Sequence, residues 1–182
     1  MREFKEMTLE TDRLSLVRIK GETHGEELNR VVCDTFESLE PWVPWAFKIP
    51  TVEDTINGLR LTTDNHNNYI FNIYLRENDH ELIGNAKCVT IDKENCYELG
   101  YWLHQKHCGK GFTTECVQRL IKFARNELKA SAAVMIINEN NKASLRIADK
   151  TGFQFVRKIL EDSYALRPEW KDRMNHYVQV LL

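Results

Sequence analysis

No run of apolar residues in this sequence is long enough to cross a membrane, and no basic start followed by an apolar stretch marks a leader. Neither sign of charge is in excess, because 25 Lys and Arg residues are balanced by 27 Asp and Glu residues, for a formal net charge of -2. Direct binding to nucleic acid is driven by a basic field that this balance does not provide. We therefore expect a cytoplasmic protein without a membrane segment and without a direct nucleic-acid partner.

Proline is sparse, and paired cysteine motifs are absent. The five cysteines are an odd number and none forms a Cys-x-x-Cys pair, so neither a disulfide framework nor a zinc site is indicated. The four prolines fall at loop or turn positions, and no Gly/Ser-rich linker or internal repeat divides the chain. A chain of 182 residues with 42% hydrophobic residues can bury one substantial core. The sequence thus predicts one domain over residues 1–182, with free thiols and no metal.

Apolar patterns with two different periods follow one another along the chain. Alternating or continuously apolar runs predict strands, and an apolar spacing of three and four predicts helices. Residues 36–47 hold two prolines and predict irregular structure. The predicted strands are 11–19, 69–76, 82–91, 96–104, 132–137, 153–160 and 176–182, and the predicted helices are 22–33, 51–65, 112–128 and one from Asn140 or Asn141 to Gly152.

Two glycines lie between the strand at 96–104 and the helix that starts at Phe112, within the segment Cys108–Thr114, called here the phosphate turn. Glycine lets the backbone turn sharply and approach a ligand, and a helix start offers unpaired N–H groups with a partial positive charge. A diphosphate can be bound there, with Lys110 as one added cation. A tight turn without a ligand is the alternative. The Walker and dinucleotide patterns are excluded, because His104 and Thr114 stand where those motifs need glycine.

The phosphate turn resembles the coenzyme signature of the GNAT acetyltransferase superfamily, in its RimJ/RimL-like branch. In that branch the pattern Gln/Arg-x-x-Gly-x-Gly/Ala binds the diphosphate of CoA; here it falls on residues 108–113, with Cys108 and Thr113 as departures. Three further segments are similar to the branch: Leu-Glu-Thr-Asp-Arg-Leu at 9–14, Glu-Leu-Gly-Tyr-Trp-Leu at 98–103, and Asn141-x-x-Ser144 with Gly152-Phe153. The resemblance implies an α/β fold of the α+β type: a mixed, mostly antiparallel central sheet of about seven strands, with splayed parallel middle strands and about four helices.

Acetyl-CoA is the co-substrate that this resemblance implies, with its pantetheine arm between the splayed strands and its thioester near residues 102–104. The backbone N–H of Leu103 or His104 then polarises the acetyl carbonyl. Asn141 either contacts pantetheine or only caps its helix. The implied coenzyme-binding residues are Trp102, Leu103, His104, Cys108, Gly109, Lys110, Gly111, Phe112, Thr113, Thr114, Asn138, Asn141 and Ser144.

Glu98 is the base that the resemblance implies, because an amine has to lose a proton in order to attack the acetyl group. Strand alternation places Glu98, Gly100 and Trp102 on one face of their strand. An exposed carboxylate without a catalytic role is the alternative. Glu161, just after a predicted strand, is a second candidate base.

Ser144 is the implied hydrogen-bond or proton donor to the departing thiolate, because Ala148 occupies the position where many relatives carry a tyrosine. Ordinary capping in the first turn of the helix is the alternative for Ser144. Cys108 is expected to be incidental rather than nucleophilic, since no His lies at a recognisable partner spacing, and His107 is expected at the surface.

The acceptor site is expected between the first two helices and the last hairpin, with Trp42, Trp45, Tyr164 and Trp170 available as walls, although each of these aromatics could equally be core. The resemblance implies a protein N-terminal α-amine as the acceptor, such as that of a ribosomal protein. A small amine (a polyamine, amino sugar or amino acid) and a catalytically silent CoA-binding module are the alternatives. The sequence does not fix the oligomeric state, and a homodimer stays open.

Overall fold

The computed structural model of the chain describes residues 7–19, 21–77, 81–91, 95–159, 170 and 173–181. Within those residues it contains eight strands and four α-helices. In chain order they are β1 (Thr8–Glu10), β2 (Leu14–Arg18), α1 (Gly25–Leu39), α2 (Val52–Thr63), β3 (Tyr69–Leu75), β4 (Leu82–Thr90), β5 (Cys96–Leu103), α3 (Phe112–Asn126), β6 (Ala132–Asn138), α4 (Lys142–Lys150), β7 (Gln154–Ile159) and β8 (Met174–Val180).

The eight strands form one mixed sheet in the order β1-β2-β3-β4-β5-β6-β8-β7. Neighbouring strands are antiparallel except β5 and β6, which are parallel and are joined by α3. The parallel pairing is short: it runs from Cys96 beside Ala132 to Glu98 beside Val134 and then stops, although both strands continue. The expected mixed α/β sheet with splayed middle strands is therefore confirmed.

The alternation of β5 divides the sheet into two faces. Tyr97, Leu99 and Leu103 are buried and belong to the larger core cluster, which also contains one side of α3. The opposite face carries Trp102, which packs against a second cluster that includes residues of α1. The face division that the sequence predicts for β5 is thus the observed one, and it directs Glu98 toward the α1 side.

The N-terminal elements differ most from their predicted bounds. The expected first strand at 11–19 is the shorter β2, and β1 is an additional strand before it. A turn at Thr11, whose hydroxyl accepts from the Leu14 N–H at 2.9 Å, separates the two. This accounts for eight strands where about seven were expected. Helix α1 runs on to Leu39 rather than ending at 33, because Val32, Thr35 and Leu39 continue the buried stripe as far as the residues before Pro41.

The other helix starts follow local rules that the sequence displays. Thr51 and Asp54 form a reciprocal capping box at α2, with N–H to side-chain oxygen distances of 3.0 and 3.1 Å. Asn141, rather than Asn140, caps α4, and Gly152 follows its end with φ +83°. These predicted caps explain why α2 and α4 begin close to their expected starts.

Candidate functional site

The phosphate turn has the backbone conformation that its glycines suggest. Gly109 and Gly111 have φ of +77° and +83°, and Gly111 is the N-cap residue of α3. A Cβ at Gly109 would meet nothing within 4 Å, so the positive φ, not lack of space, favours glycine there. The first backbone bond of the helix runs from the Glu115 N–H to the Gly111 carbonyl at 3.1 Å.

Unpaired backbone donors make this turn a suitable anion site. Among the described residues, no acceptor is found for the N–H groups of residues 109–114, which precede that first helical bond. Gly109, Lys110 and Gly111 are exposed, so the donors are open to a ligand. A run of free N–H groups at the start of a 15-residue helix fits a diphosphate, and therefore fits the coenzyme that the sequence implies.

The gap between β5 and β6 begins beyond Glu98 and Val134. His104 donates its N–H to the Ile83 carbonyl of β4 at 2.8 Å. Because backbone groups alternate sides along an antiparallel strand, the N–H of Leu103 points away from β4, toward the gap. Of the two predicted acetyl-polarising donors, the structure leaves Leu103 in a position to act, whereas the N–H of His104 is already used within the sheet.

Glu98 lies at the point where the parallel pairing ends. Its Oε1 is 2.6 Å from Lys87 Nζ, and its side chain is 21% exposed, so it is not the freely solvated carboxylate of the alternative interpretation. Lys87 reaches Glu98 by crossing over Gly100, where an added Cβ would lie 2.5 Å from the lysine Cε. On β8, burial lowers the pKa of His176, Arg157 lowers it further, and Glu98 opposes them. His176 is therefore in the electrostatic neighbourhood of Glu98.

Ser144 lies in the first turn of α4 but does not cap it. Asn141 Oδ1 is the cap and accepts the Ser144 N–H at 3.0 Å. This leaves the hydroxyl of Ser144 for another partner, and it shows that Asn141 caps the helix. Sequence reasoning missed a second hydroxyl here: that of Tyr101 on β5 is buried without a well-aligned hydrogen bond among the described residues. Burial raises the pKa of Tyr101 to about 12, against a lowering effect from Ser144.

Several other predicted residues occupy distinct places. Cys108 is exposed and its Sγ lies 3.8 Å from the His104 carbonyl, while partial desolvation raises the pKa of its thiol. His107 is buried, not at the surface as expected, with Nε2 3.3 Å from Glu81 Oε1. Trp102 faces the α1 cluster, so only its backbone borders the gap. Thr113 and Thr114 are half-buried in the first turn of α3.

A cavity of about 310 Å³ opens where α1 ends, beside the end of β6. We call it the Trp42 cavity. Trp42 lines it, whereas Trp45, at 43% exposure, does not. Asn138, which the sequence assigns to the coenzyme, also lines the cavity. Tyr164 and Glu161 lie outside the described residues. The lining residues are Glu40, Pro41, Trp42, Asn138, Asn140, Trp170 and Arg173.

Neither a metal cluster nor a membrane helix occurs in the described parts of the chain. No group of three or more His, Cys, Asp or Glu side chains could hold a metal ion there. None of the helices seen in those parts is long and apolar enough to span a membrane.

The chain is similar in sequence to two proteins that are both named as acetyltransferases. The chain is 35% identical over 85 residues to the uncharacterized N-acetyltransferase p20 of Bacillus licheniformis, covering 46% of this chain and 47% of that protein, so it spans about half of that relative's length. It is 24% identical over 162 residues to the ribosomal-protein-serine acetyltransferase of Escherichia coli K12, covering 88% of this chain and 89% of that protein.

A solved structure, the RimL ribosomal L7/L12 alpha-N-protein acetyltransferase in complex with coenzyme A, has the same fold. Its TM-score is 0.83 at 18% identity, covering 96% of this chain and 98% of that one. A sequence profile of the acetyltransferase (GNAT) domain matches residues 13–154, which is most of the chain and includes the phosphate turn. On this match, the chain belongs to the GNAT acetyltransferase family.

Proposed function

We propose that the protein is an N-acetyltransferase that moves acetyl from acetyl-CoA to a primary amine by direct attack, and that its acceptor is the N-terminal α-amine of a protein. The observation that carries the transferase proposal is the alignment of two backbone features. The unpaired N–H groups of residues 109–114 suit the diphosphate, and the splayed gap between β5 and β6 leads from there to Leu103.

Leu103 is assigned to the acetyl carbonyl. Its N–H faces the gap, where it can donate to the oxygen as negative charge develops during attack. In other acyl-transfer sites, removal of one such donor costs about 2.7–4 kcal/mol of transition-state stabilisation. A backbone donor suits this task because it is fixed by the β4–β5 pairing and needs no reorganisation.

Glu98 is assigned as the base and Ser144 as the donor to sulfur. The amine nitrogen forms a bond to the acetyl carbon, the carbon–sulfur bond breaks, and the nitrogen proton passes to Glu98 directly or through water. The sulfur leaves as a thiolate that accepts a hydrogen bond from the Ser144 hydroxyl, which the helix cap does not use, and it takes its proton from solvent. Lys87, at 2.6 Å, orients the Glu98 carboxylate.

The Trp42 cavity is assigned to the acceptor, as supported by its place at the end of β6 and by its mixed lining. Trp42 and Trp170 offer apolar surface, and Glu40 and Arg173 offer one charge of each sign. An N-terminal peptide carries both an amine and backbone amide groups, which suits such a lining. Two relatives that are named for ribosomal proteins, the E. coli enzyme and RimL, support this acceptor class.

Incubation with isotopically labelled acetyl-CoA tests the acceptor. Candidate ribosomal proteins and a library of polyamines, amino sugars and amino acids are offered in parallel, and acetylated products are identified by mass spectrometry. We expect label on a protein N-terminus. Label confined to a small amine would replace the acceptor class, and coenzyme binding by calorimetry without any labelled product would indicate a silent binding module.

A further inference from the structure

Arg13, in the turn between β1 and β2, contacts both the phosphate turn and the first turn of α3. Its Nε and Nη2 lie 2.7 and 2.6 Å from Glu115 Oε2, and its backbone N–H donates to Glu115 Oε1 at 2.9 Å. Its Nη1 donates to the Lys110 carbonyl at 3.0 Å. The guanidinium also lies 4.5 Å from the centre of the Phe112 ring. One side chain thus contacts the turn, the first helical residue and the first helical carboxylate.

The contact with the Lys110 carbonyl sets the direction of a donor. In a trans peptide the carbonyl and the following N–H point in opposite directions, and the structure contains no cis bond among its described residues. Because Arg13 holds the Lys110 carbonyl toward β1 and β2, the Gly111 N–H points outward, to the side where a diphosphate can approach. Gly111 has φ of +83° and no side chain, so the peptide plane between Lys110 and Gly111 could rotate if the Arg13 contact did not hold it.

The contact with Glu115 removes an electrostatic conflict. A carboxylate in the first turn of α3 competes with a diphosphate for the positive end of the helix and repels it. Burial disfavours the ionised form of Glu115, but hydrogen bonds from Thr11 and Arg13 outweigh burial and hold its pKa below the ordinary value. The carboxylate is therefore ionised at neutral pH, and the adjacent guanidinium is what neutralises it.

We propose that Arg13 is a positioning residue for acetyl-CoA, which aims the Gly111 N–H and neutralises Glu115 beside the coenzyme diphosphate. This inference rests on the proposed function, since it needs the coenzyme at the phosphate turn. It predicts that loss of Arg13 weakens coenzyme binding and raises the KM for acetyl-CoA, with kcat nearly unchanged, because neither group reaches the reacting atoms.

Arg76 provides a matched control. Its side chain contacts the same β1–β2 region, with Nη1 2.7 Å from the Thr11 carbonyl and Nε 3.4 Å from Glu10 Oε2. Its exposure, 47%, nearly equals the 48% of Arg13. None of the described contacts of Arg76 involves the phosphate turn, so Arg76→Ala tests for a general loss of structure at this edge of the sheet.

The experiment measures the Kd for CoA by calorimetry, together with the thermal midpoint and the two steady-state constants, for five proteins. Arg13→Ala is expected to raise the Kd about tenfold or more. Arg13→Lys, which keeps the charge but lacks the guanidinium fork that contacts Glu115 Oε2 and the Lys110 carbonyl together, is expected to recover part of the affinity. Glu115→Gln in the Arg13→Ala background is expected to recover part as well, because it removes the unneutralised carboxylate. Arg76→Ala is expected to bind like the unchanged protein.

The inference is overturned if the unchanged protein binds CoA and Arg13→Ala binds it equally well, or if Arg76→Ala weakens binding to the same extent. It is also overturned if Arg13→Ala lowers kcat while the Kd for CoA stays constant. Absence of CoA binding by the unchanged protein would instead contradict the proposed function itself.

Discussion

At the phosphate turn, consecutive residues 109–114 present backbone N–H groups, whereas the Trp42 cavity is lined by side chains from three separate parts of the chain. The first region needs only glycine at two positive-φ positions and a helix start. The second depends on how the end of α1, the end of β6 and the segment before β8 meet. A coenzyme site built from main-chain groups tolerates departures from the family signature such as Cys108 and Thr113. In an acceptor site built from side chains, each substitution changes which acceptor can bind.

Glu98 lies at the start of the gap between β5 and β6, and its loss is expected to have the largest effect. Glu98→Gln removes a proton acceptor, and general-base catalysis contributes about 10² to 10⁴ in rate. We expect kcat to fall by about that factor while both KM values stay within about threefold, because Gln is isosteric. A pH–rate profile is the measurement: the variant's rate should follow the fraction of acceptor amine that is already neutral. An unchanged profile would exclude Glu98 as the base.

Gly111→Val should affect the coenzyme region alone. A β-branched residue at φ +83° is strained by about 1–3 kcal/mol, and the new side chain would meet Arg13 Nη2, which lies 3.4 Å from the added Cβ. We expect the Kd for CoA to rise about 10- to 100-fold. Gly58→Ala is the control, because Gly58 lies in α2 with nothing within 4 Å of an added Cβ, and it should leave the Kd unchanged.

The contrast between the regions also explains which features can be predicted from sequence. The phosphate turn, the cap at Asn141 and the alternation of Glu98 depend on residues that are near one another in the chain, so local sequence patterns predict them. The ion pair of Lys87 with Glu98 and the clamp of Arg13 on Glu115 join positions far apart, and nothing local marks them. The segment 9–14 does carry one signal, because its resemblance to the family includes Arg13. That resemblance does not indicate which residue Arg13 contacts.

The acceptor region is predictable only in outline for the same reason. Trp42 and Trp45 are three residues apart and look equivalent in the sequence, yet only Trp42 lines the cavity. The direction of each side chain is set by turns after Leu39, where Trp42 and Val43 both donate their N–H to the Leu39 carbonyl at 2.9 Å. Val43 and Ala46 in these turns pack in the cluster that includes Ile70 and Leu82, so residues far along the chain help to fix the turns.

Trp42→Ala should therefore change the acceptor kinetics and leave the coenzyme kinetics alone. Truncation removes one of the two tryptophans that line the cavity, and we expect the KM for the acceptor to rise about tenfold, as for loss of an aromatic contact with the acceptor. Trp45→Ala is the matched control, since it deletes the same side chain outside the cavity. Equal effects of both variants on the acceptor KM would mean that the cavity is not the acceptor site.

Cys108→Ser should have the smallest effect, although Cys108 stands inside the phosphate turn. A covalent acetyl-enzyme would need a thiolate, but desolvation raises the pKa of Cys108, so its thiol is less ionised at neutral pH than an ordinary cysteine. Its Sγ lies within weak hydrogen-bond distance of the His104 carbonyl, at 3.8 Å, and a serine hydroxyl can donate to the same carbonyl. Because the turn offers the diphosphate its backbone rather than this side chain, kcat/KM for acetyl-CoA should stay within about twofold and the pH–rate profiles should coincide. Intact-protein mass spectrometry after mixing with acetyl-CoA is expected to show no acetylated enzyme; a single added acetyl group that Cys108→Ser abolishes would contradict direct transfer and make the thiol the nucleophile.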